Sequence, residues 1–181
     1  MYQGLTVTVV VPAFNEARLL PRTLAGLPAF VDRVVVVDDA STDGTAAAAT
    51  GPKITCVRHG VNQGVGAAIV TGYRHALAHG ADVAVVVGAD AQMDPAEMPR
   101  LLDPLVAGEA DYVKGDRLGH PEVARRMPWV RLLGNRALSR LTRWATGYAV
   151  RDSQCGYTAI TAGALARLPL ASLYPRYGFP N

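Results

Sequence analysis

The chain has 181 residues, half of them hydrophobic, which suits one ordinary domain with a single sizeable core. Two widely spaced cysteines, Cys56 and Cys155, exclude a disulfide framework or a cysteine-based metal centre and read as reduced, inert, packed thiols. No stretch approaches the ~18 apolar residues of a spanning helix, so any membrane contact within these residues is expected to be peripheral. The formal net charge of +3 and pI near 9.1 are mildly basic, but the excess is local: Arg125, Arg126, Arg131, Arg136, Arg140, Arg143 and Arg151 crowd one stretch. That concentration points to an anionic partner there.

Taken in chain order, Leu5 to Val11 reads as a buried strand ended by Pro12, and Glu16 to Leu27 shows helical spacing through Leu19, Leu20, Leu24 and Leu27. Val31 to Val37 is a second strand, Ser41 to Thr45 supplies turn chemistry, and Ala46 to Ala49 favours a helix. Ile54 to Val57 gives a third strand, Gly64 to Ala78 a third helix, and Val83 to Val87 a strand buried on both faces. Pro95 opens a helix through Leu101, Leu102 and Leu105, and Asp111 to Gly115 adds one more strand. Pro128 to Tyr148 then places Trp129, Leu132, Leu133, Leu141 and Trp144 at helical spacing among arginines, a basic amphipathic helix. Tyr157 to Ile160 returns a strand, and Ala162 to Leu168 a short helix. The alternation predicts an α/β fold with a mostly parallel central sheet, helices on both faces, and one domain over residues 1–181. The chain stops at Tyr177-Gly178-Phe179-Pro180-Asn181 with neither a polar tail nor a helix-ending signal, as expected of a segment of a longer protein.

In such folds ligands bind beyond the carboxyl ends of the strands. The first strand delivers Pro12, Ala13, Phe14, Asn15 and Glu16 there. Phe14 offers a stacking face, and the absence of G-x-G-x-x-G argues against a dinucleotide fold. Asn15 and Glu16 have an alternative reading as a helix cap and a first-turn acid. Asp38 and Asp39 close the second strand pointing opposite ways, so that one braces the loop while the other, Asp39, faces a ligand. The loop from His59 to Ala68 brings Gly64 and Gly66 to a helix N-terminus. The valine strand delivers Asp90, Gln92 and Asp94; oxygen donors of this kind suit Mg²⁺ or Mn²⁺ on a phosphate, and Asp94-Pro95 reads as the cap of the next helix. His59, His75, His79 and His120 lack a ligand pattern and are expected at the surface.

These segments, Val11 to Glu16, Val37 to Thr45, Asn62 to Gly66 and Asp90 to Pro95, followed by Val113 to Arg117, Arg126-Met127-Pro128, Gly134-Asn135-Arg136 and Asp152 to Tyr157, resemble in order and spacing the family 2 glycosyltransferases of the GT-A fold. The likeness is strongest to the dolichol-phosphate mannosyltransferase-like group that uses polyprenyl-phosphate acceptors. It implies that Pro12, Ala13, Phe14, Glu16, Val37, Asp39, Ala89 and Asp90 hold a sugar nucleotide and that Asp90 and Gln92 hold Mg²⁺ or Mn²⁺. Arg117 and Arg131, with Asn135, meet the acceptor phosphate, while Asp152 and Gln154 border the same pocket. Asp90, Arg117 and Arg131 carry the catalytic roles. Where the family has Asp-x-Asp, this chain has Gly88-Ala89-Asp90, which predicts weak metal binding before the donor diphosphate arrives.

The expected activity is inverting, metal-dependent transfer of a sugar from a nucleoside diphosphate to a polyprenyl monophosphate. The expected location is the cytoplasmic face of a membrane, with a membrane surface rather than a nucleic acid as the partner of the arginine-rich helix. A phosphate acceptor is already ionised and needs no base, so Asp152 is read as a pocket residue. Two rivals stand beside this reading: transfer to a saccharide or small-molecule hydroxyl, and a sugar-nucleotide-binding module without catalysis.

Overall fold

A computed structural model describes residues 1–119 and 127–176, the side chain of Arg131 excepted. His120, Arg125 and Arg126 therefore lie outside the described residues. The chain divides into two compact units, Met1–Val113 with Tyr157–Pro180, and Lys114–Gly156.

The first unit is built on a six-stranded sheet in the order β3-β2-β1-β4-β6-β5, with β1 Val7–Ala13, β2 Arg33–Asp38, β3 Ile54–Arg58, β4 Val83–Val86, β5 Tyr112–Lys114 and β6 Thr158–Thr161. β1 pairs in parallel with β2 and β4, and β2 with β3. The predicted parallel core is present, whereas β6 runs antiparallel to β4. That strand does not follow a helical crossover; it returns after the excursion of residues 114–156, and an antiparallel neighbour requires no crossover.

The valines explain the strands. Val9, Val11 and Val85 are fully buried on one face while Val10, Ala84 and Val86 pack on the other, so the sheet is covered on both sides as a β-branched run demands. On the second face α3, Val65–Ala78, lays Ile69, Tyr73 and Ala76 against Val10, Val86 and Ile160. α4, Met98–Val106, buries Met98, Leu101, Leu102 and Leu105. Each buried valine contributes roughly 2 kcal/mol of transfer free energy. α3 approaches β1 so closely that a Cβ on Gly72 would lie 2.1 Å from Cγ1 of Val10, a side chain without freedom to yield. Gly72→Ala is therefore expected to cost about 2 kcal/mol through overpacking, read as a lowered urea midpoint with an unchanged slope.

Several boundaries shift by a residue or two, and two of the differences lie at prolines. Pro12 does not end β1 but sits within it, opposite Val37. It lies beyond Val10, the last residue in register with β4, so its missing N–H removes no bond on that side. The first helix, α1, covers Leu20–Ala25 and not Glu16 to Leu27. Pro21 is tolerated only in a first turn, which fixes the helix start beside it and leaves residues 16–19 as a hydrogen-bonded turn. α2 is a single turn, Thr45–Ala48. The expected cap is present: Asp94 accepts the N–H of Ala96 at 2.9 Å and opens a 3-10 turn, Pro95–Glu97, ahead of α4. Cys155 is buried as expected, but Cys56 is exposed on the edge strand β3.

In the second unit α5, Trp129–Thr146, ends on Gly147 in the left-handed conformation. In the first unit α6, Ala162–Arg167, follows β6, with Thr161 accepting the N–H of Ala164 as its cap.

Candidate active site

Three strands, β1, β2 and β4, end side by side, and the loops beyond β1 and β2 are locked together. Ser41 Oγ accepts the N–H of Asn15 at 2.9 Å, Thr45 Oγ1 that of Glu16 at 2.8 Å, and Asn15 Oδ1 that of Thr42 at 2.9 Å. Asn15 thus braces the second loop and does not cap α1. Asn15, Ala40 and Ala91, one in each loop, take positive φ of 56°, 62° and 54°. Such strained residues persist only where the surroundings over-determine them, and they gather at functional sites.

The adjacent aspartates divide their work. Asp38, fully buried, accepts the N–H of Ser41 at 3.0 Å and pairs with Arg58 Nε at 3.2 Å. Asp39 points the other way. Its carboxylate accepts the N–H of Gln63 at 2.9 Å and of Gly64 at 2.7 Å, and meets His59 Nδ1 at 2.7 Å. Burial works against its ionisation, but the bonds from Gln63, His59 and Gly64 outweigh it, so the carboxyl is held below its ordinary range. An anion thus sits at the start of α3, where the helix dipole favours one.

His59 is not the surface residue expected. Its side chain is 8% exposed, and its Nε2 meets Thr71 Oγ1 at 2.9 Å on α3. A signal was present in the sequence: parallel pairing of β2 with β3 sets Asp38 opposite Arg58, so the next residues, Asp39 and His59, emerge together. His75 and His79 stack at 3.9 Å at the far end of α3, away from the loops just described.

A cleft of about 450 Å³ opens over these strand ends, lined by Pro12, Ala13, Phe14, Glu16, Asp39, Asn62, Gly64, Val65, Ala68, Gly88, Ala89, Asp90 and Arg176. That volume is within the range of nucleotide-sized ligand sites. It brings together Pro12, Ala13, Phe14, Glu16, Asp39, Ala89 and Asp90, with the ring of Phe14 47% exposed. Val37 does not line it; its side chain packs with Val35 and Ala68 in the core. Gln92 is exposed outside the lining, its N–H held by Asp90 Oδ1 at 3.1 Å. The Asp90 carboxylate folds back over Gly88, where an added Cβ would lie 3.1 Å from Oδ1. Arg176 has no precursor in the sequence argument. The 174–176 segment lies on the start of α3: Ala67 donates to the Pro175 carbonyl at 2.9 Å, and a Cβ on Gly66 would stand 2.3 Å from the Tyr174 carbonyl.

In the second unit Asp152 is buried and saturated. It takes Nε and Nη2 of Arg117 at 2.9 and 3.1 Å, the N–H of Arg117 at 3.2 Å and that of Gln154 at 3.1 Å. The hydrogen bond to Asp152 raises the pKa of Arg117, while burial pushes that of Lys114 down. Ser139 on α5 accepts the N–H of Ser153 at 3.1 Å, and Asn135 contacts Met127 Sδ at 3.7 Å. Arg131 belongs to α5, but its side chain lies outside the described residues.

Residues 8–165 match the profile described as glycosyl transferase family 2. The chain belongs to this family. A UDP-N-acetylglucosamine–dolichyl-phosphate N-acetylglucosaminyltransferase of Methanococcus voltae is 30% identical, over 88% of this chain and 70% of its own length. An undecaprenyl-phosphate mannosyltransferase of Micrococcus luteus is 33% identical, over 96% and 74%. Among solved structures, glucosyl-3-phosphoglycerate synthase of Mycobacterium tuberculosis, in complex with Mn²⁺, UDP-glucose and phosphoglyceric acid, superposes with a TM-score of 0.71 and 28% identity. That likeness covers 97% of this chain and 62% of the solved one, and the fold is the GT-A-like one expected.

Proposed function

We propose that this family 2 chain transfers a sugar, with inversion, from a nucleoside diphosphate to a polyprenyl monophosphate. The observation that carries the donor half is the cleft joining an exposed aromatic, Phe14, a fixed carboxylate, Asp39, and a strand-end carboxylate, Asp90. Phe14 stacks the base, Asp39 accepts a base or ribose donor, and Arg176 adds positive charge to the same cleft.

The donor set fits a divalent cation that arrives with the diphosphate. Among the described residues no cluster of three or more His, Cys, Asp or Glu side chains forms a closed cage, and Mg²⁺ or Mn²⁺ on a nucleotide needs only one or two carboxylates beside phosphate oxygens. Asp90 and Gln92 would hold it, and it would supply charge stabilisation to the departing diphosphate. Mn²⁺ alone is accordingly expected to bind far more weakly than Mn²⁺ with UDP or GDP, a difference that calorimetry reads.

For the acceptor half, the relatives of Methanococcus voltae and Micrococcus luteus are named for lipid-phosphate acceptors, and the second unit supplies the matching chemistry. Asp152 spends its oxygens on Arg117 and Gln154, so it is not disposed as a base for a hydroxyl. A phosphate oxygen needs no base: it attacks the anomeric carbon as the bond to the diphosphate breaks, and electrons leave with the nucleotide. Arg117, Arg131 and Asn135 orient that phosphate.

No helix among the described residues is long and apolar enough to cross a membrane. α5 instead exposes Trp129, Val130, Leu133, Leu141 and Trp144 beside Arg136, Arg140 and Arg143. We read this face as resting on an anionic membrane surface, on the cytoplasmic side where sugar nucleotides are found. Replacing Leu141 and Trp144 together by glutamate is expected to cut sedimentation with phosphatidylglycerol vesicles at least about tenfold and leave nucleotide binding unchanged; each buried aromatic contributes more than the 1.4 kcal/mol that a factor of ten requires.

A second reading, transfer to a small phosphorylated acid, is favoured by the complex of the solved relative. Competing the two acceptor classes in one assay decides between them.

A further inference from the structure

Thr23 on α1 lies 66 and 68 residues in sequence from the two groups its side chain holds. Its hydroxyl donates to the Ala89 carbonyl at 3.1 Å and accepts the N–H of Ala91 at 3.1 Å, so one side chain grips the chain on both sides of Asp90. At 4% exposure these bonds do not compete with water. The peptide needs the grip, because Ala91 stands at φ 54° without being glycine. The same helix end meets the segment again further on, where a Cβ on Gly26 would lie 3.4 Å from Pro95 Cγ. α1 thus flanks the acidic segment from Ala89 to Pro95, and within it Asp90 Oδ1 accepts the N–H of Gln92.

We infer that Thr23 is the positioning residue for Asp90: by bridging Ala89 and Ala91 it fixes where that carboxylate meets a cation carried on a nucleoside diphosphate. The inference rests on the donor reading above. Without the hydroxyl, the peptide at Ala91 relaxes from its left-handed conformation and the carboxylate loses its fixed direction, while the Phe14 and Asp39 end of the cleft is untouched. Partners that orient a metal ligand are typically worth about 10- to 100-fold in affinity.

The test compares wild type, Thr23→Val and Thr23→Ser by calorimetry with UDP and with GDP, each with Mn²⁺ and with EDTA. Thr23→Val, which keeps the shape, is expected to bind the Mn²⁺ complex about tenfold more weakly, Thr23→Ser to lie within about threefold of wild type, and all three to agree in EDTA. Thr23→Val equal to wild type with Mn²⁺, or weakened equally in EDTA, overturns the inference alone. A wild type without Mn²⁺-dependent binding overturns the donor reading and this inference with it. Independently of any variant, the Ala91 amide of the wild-type chain is expected to exchange slowly with deuterium. Exchange at the rate of an open coil would contradict the bridge.

Discussion

Asp90→Ala is expected to reduce sugar transfer by about 10²–10³-fold, the usual loss when a group that stabilises developing charge is removed. The fold should survive. Asp90 is a half-buried residue at the mouth of a cleft, and the N–H of Gln92 that its side chain accepts belongs to an exposed residue that water can satisfy. A thermal melt within a few degrees of wild type, beside a transfer rate reduced to background, is the anticipated pair of results. Because Gly88 stands where the Asp-x-Asp pattern has its first carboxylate, that partner is missing, and added Mn²⁺ should recover little.

The second large effect is at Asp39, and it falls on stability as well as on binding. Asparagine there keeps the size but turns one acceptor oxygen into a donor, which then faces either the N–H of Gly64 or that of Gln63. A buried donor left without an acceptor, with the loss of charge-assisted bonds, amounts to about 3 kcal/mol. The sign with pH follows from the depressed carboxyl: in the folded chain Asp39 ionises at lower pH than it does unfolded. Its stabilisation is therefore complete above the ordinary carboxylate value near 4 and is lost as pH falls through the lower folded value. Urea unfolding of wild type and Asp39→Asn should differ fully at pH 7 and converge on acidification below about pH 4. A difference that stays constant into acid would contradict the ionised, hydrogen-bonded carboxylate.

How much of this was readable in advance depends on distance along the chain. The valine runs required buried strands, their alternation with helical segments required a largely parallel sheet, and a sheet of that kind puts Phe14, Asp39 and Asp90 on one edge. The division of labour between Asp38 and Asp39 followed from period-2 geometry alone. Proline departs from expectation twice: the effect of Pro12 depends on which neighbour pairs beside it, a fact of strand order, whereas Pro21 obeys a local rule, its place in a first helical turn. His59 was discoverable by placing β3 next to β2. Thr23 and Arg176 were not, because no local pattern tells a threonine in a short helix that a peptide more than sixty residues later will lie against it, or brings residue 176 back to the start of α3. Val37 shows the converse: it shares a strand face with Asp39 but lies two residues deeper, where it packs with Val35 and Ala68 in the core and does not reach the cleft.

The proposed reaction passes sugar from a nucleoside diphosphate to a lipid phosphate with the help of a divalent cation. It is tested most directly by incubating the purified chain with Mn²⁺, UDP- and GDP-sugars and vesicles carrying a polyprenyl phosphate, then identifying the product by mass spectrometry and its anomeric configuration by NMR. The expected product is a glycosyl phosphate lipid of inverted configuration, formed only with metal and absent with Asp90→Ala. Sugar found on a hydroxyl, a retained anomer, or hydrolysis without any lipid product would contradict it.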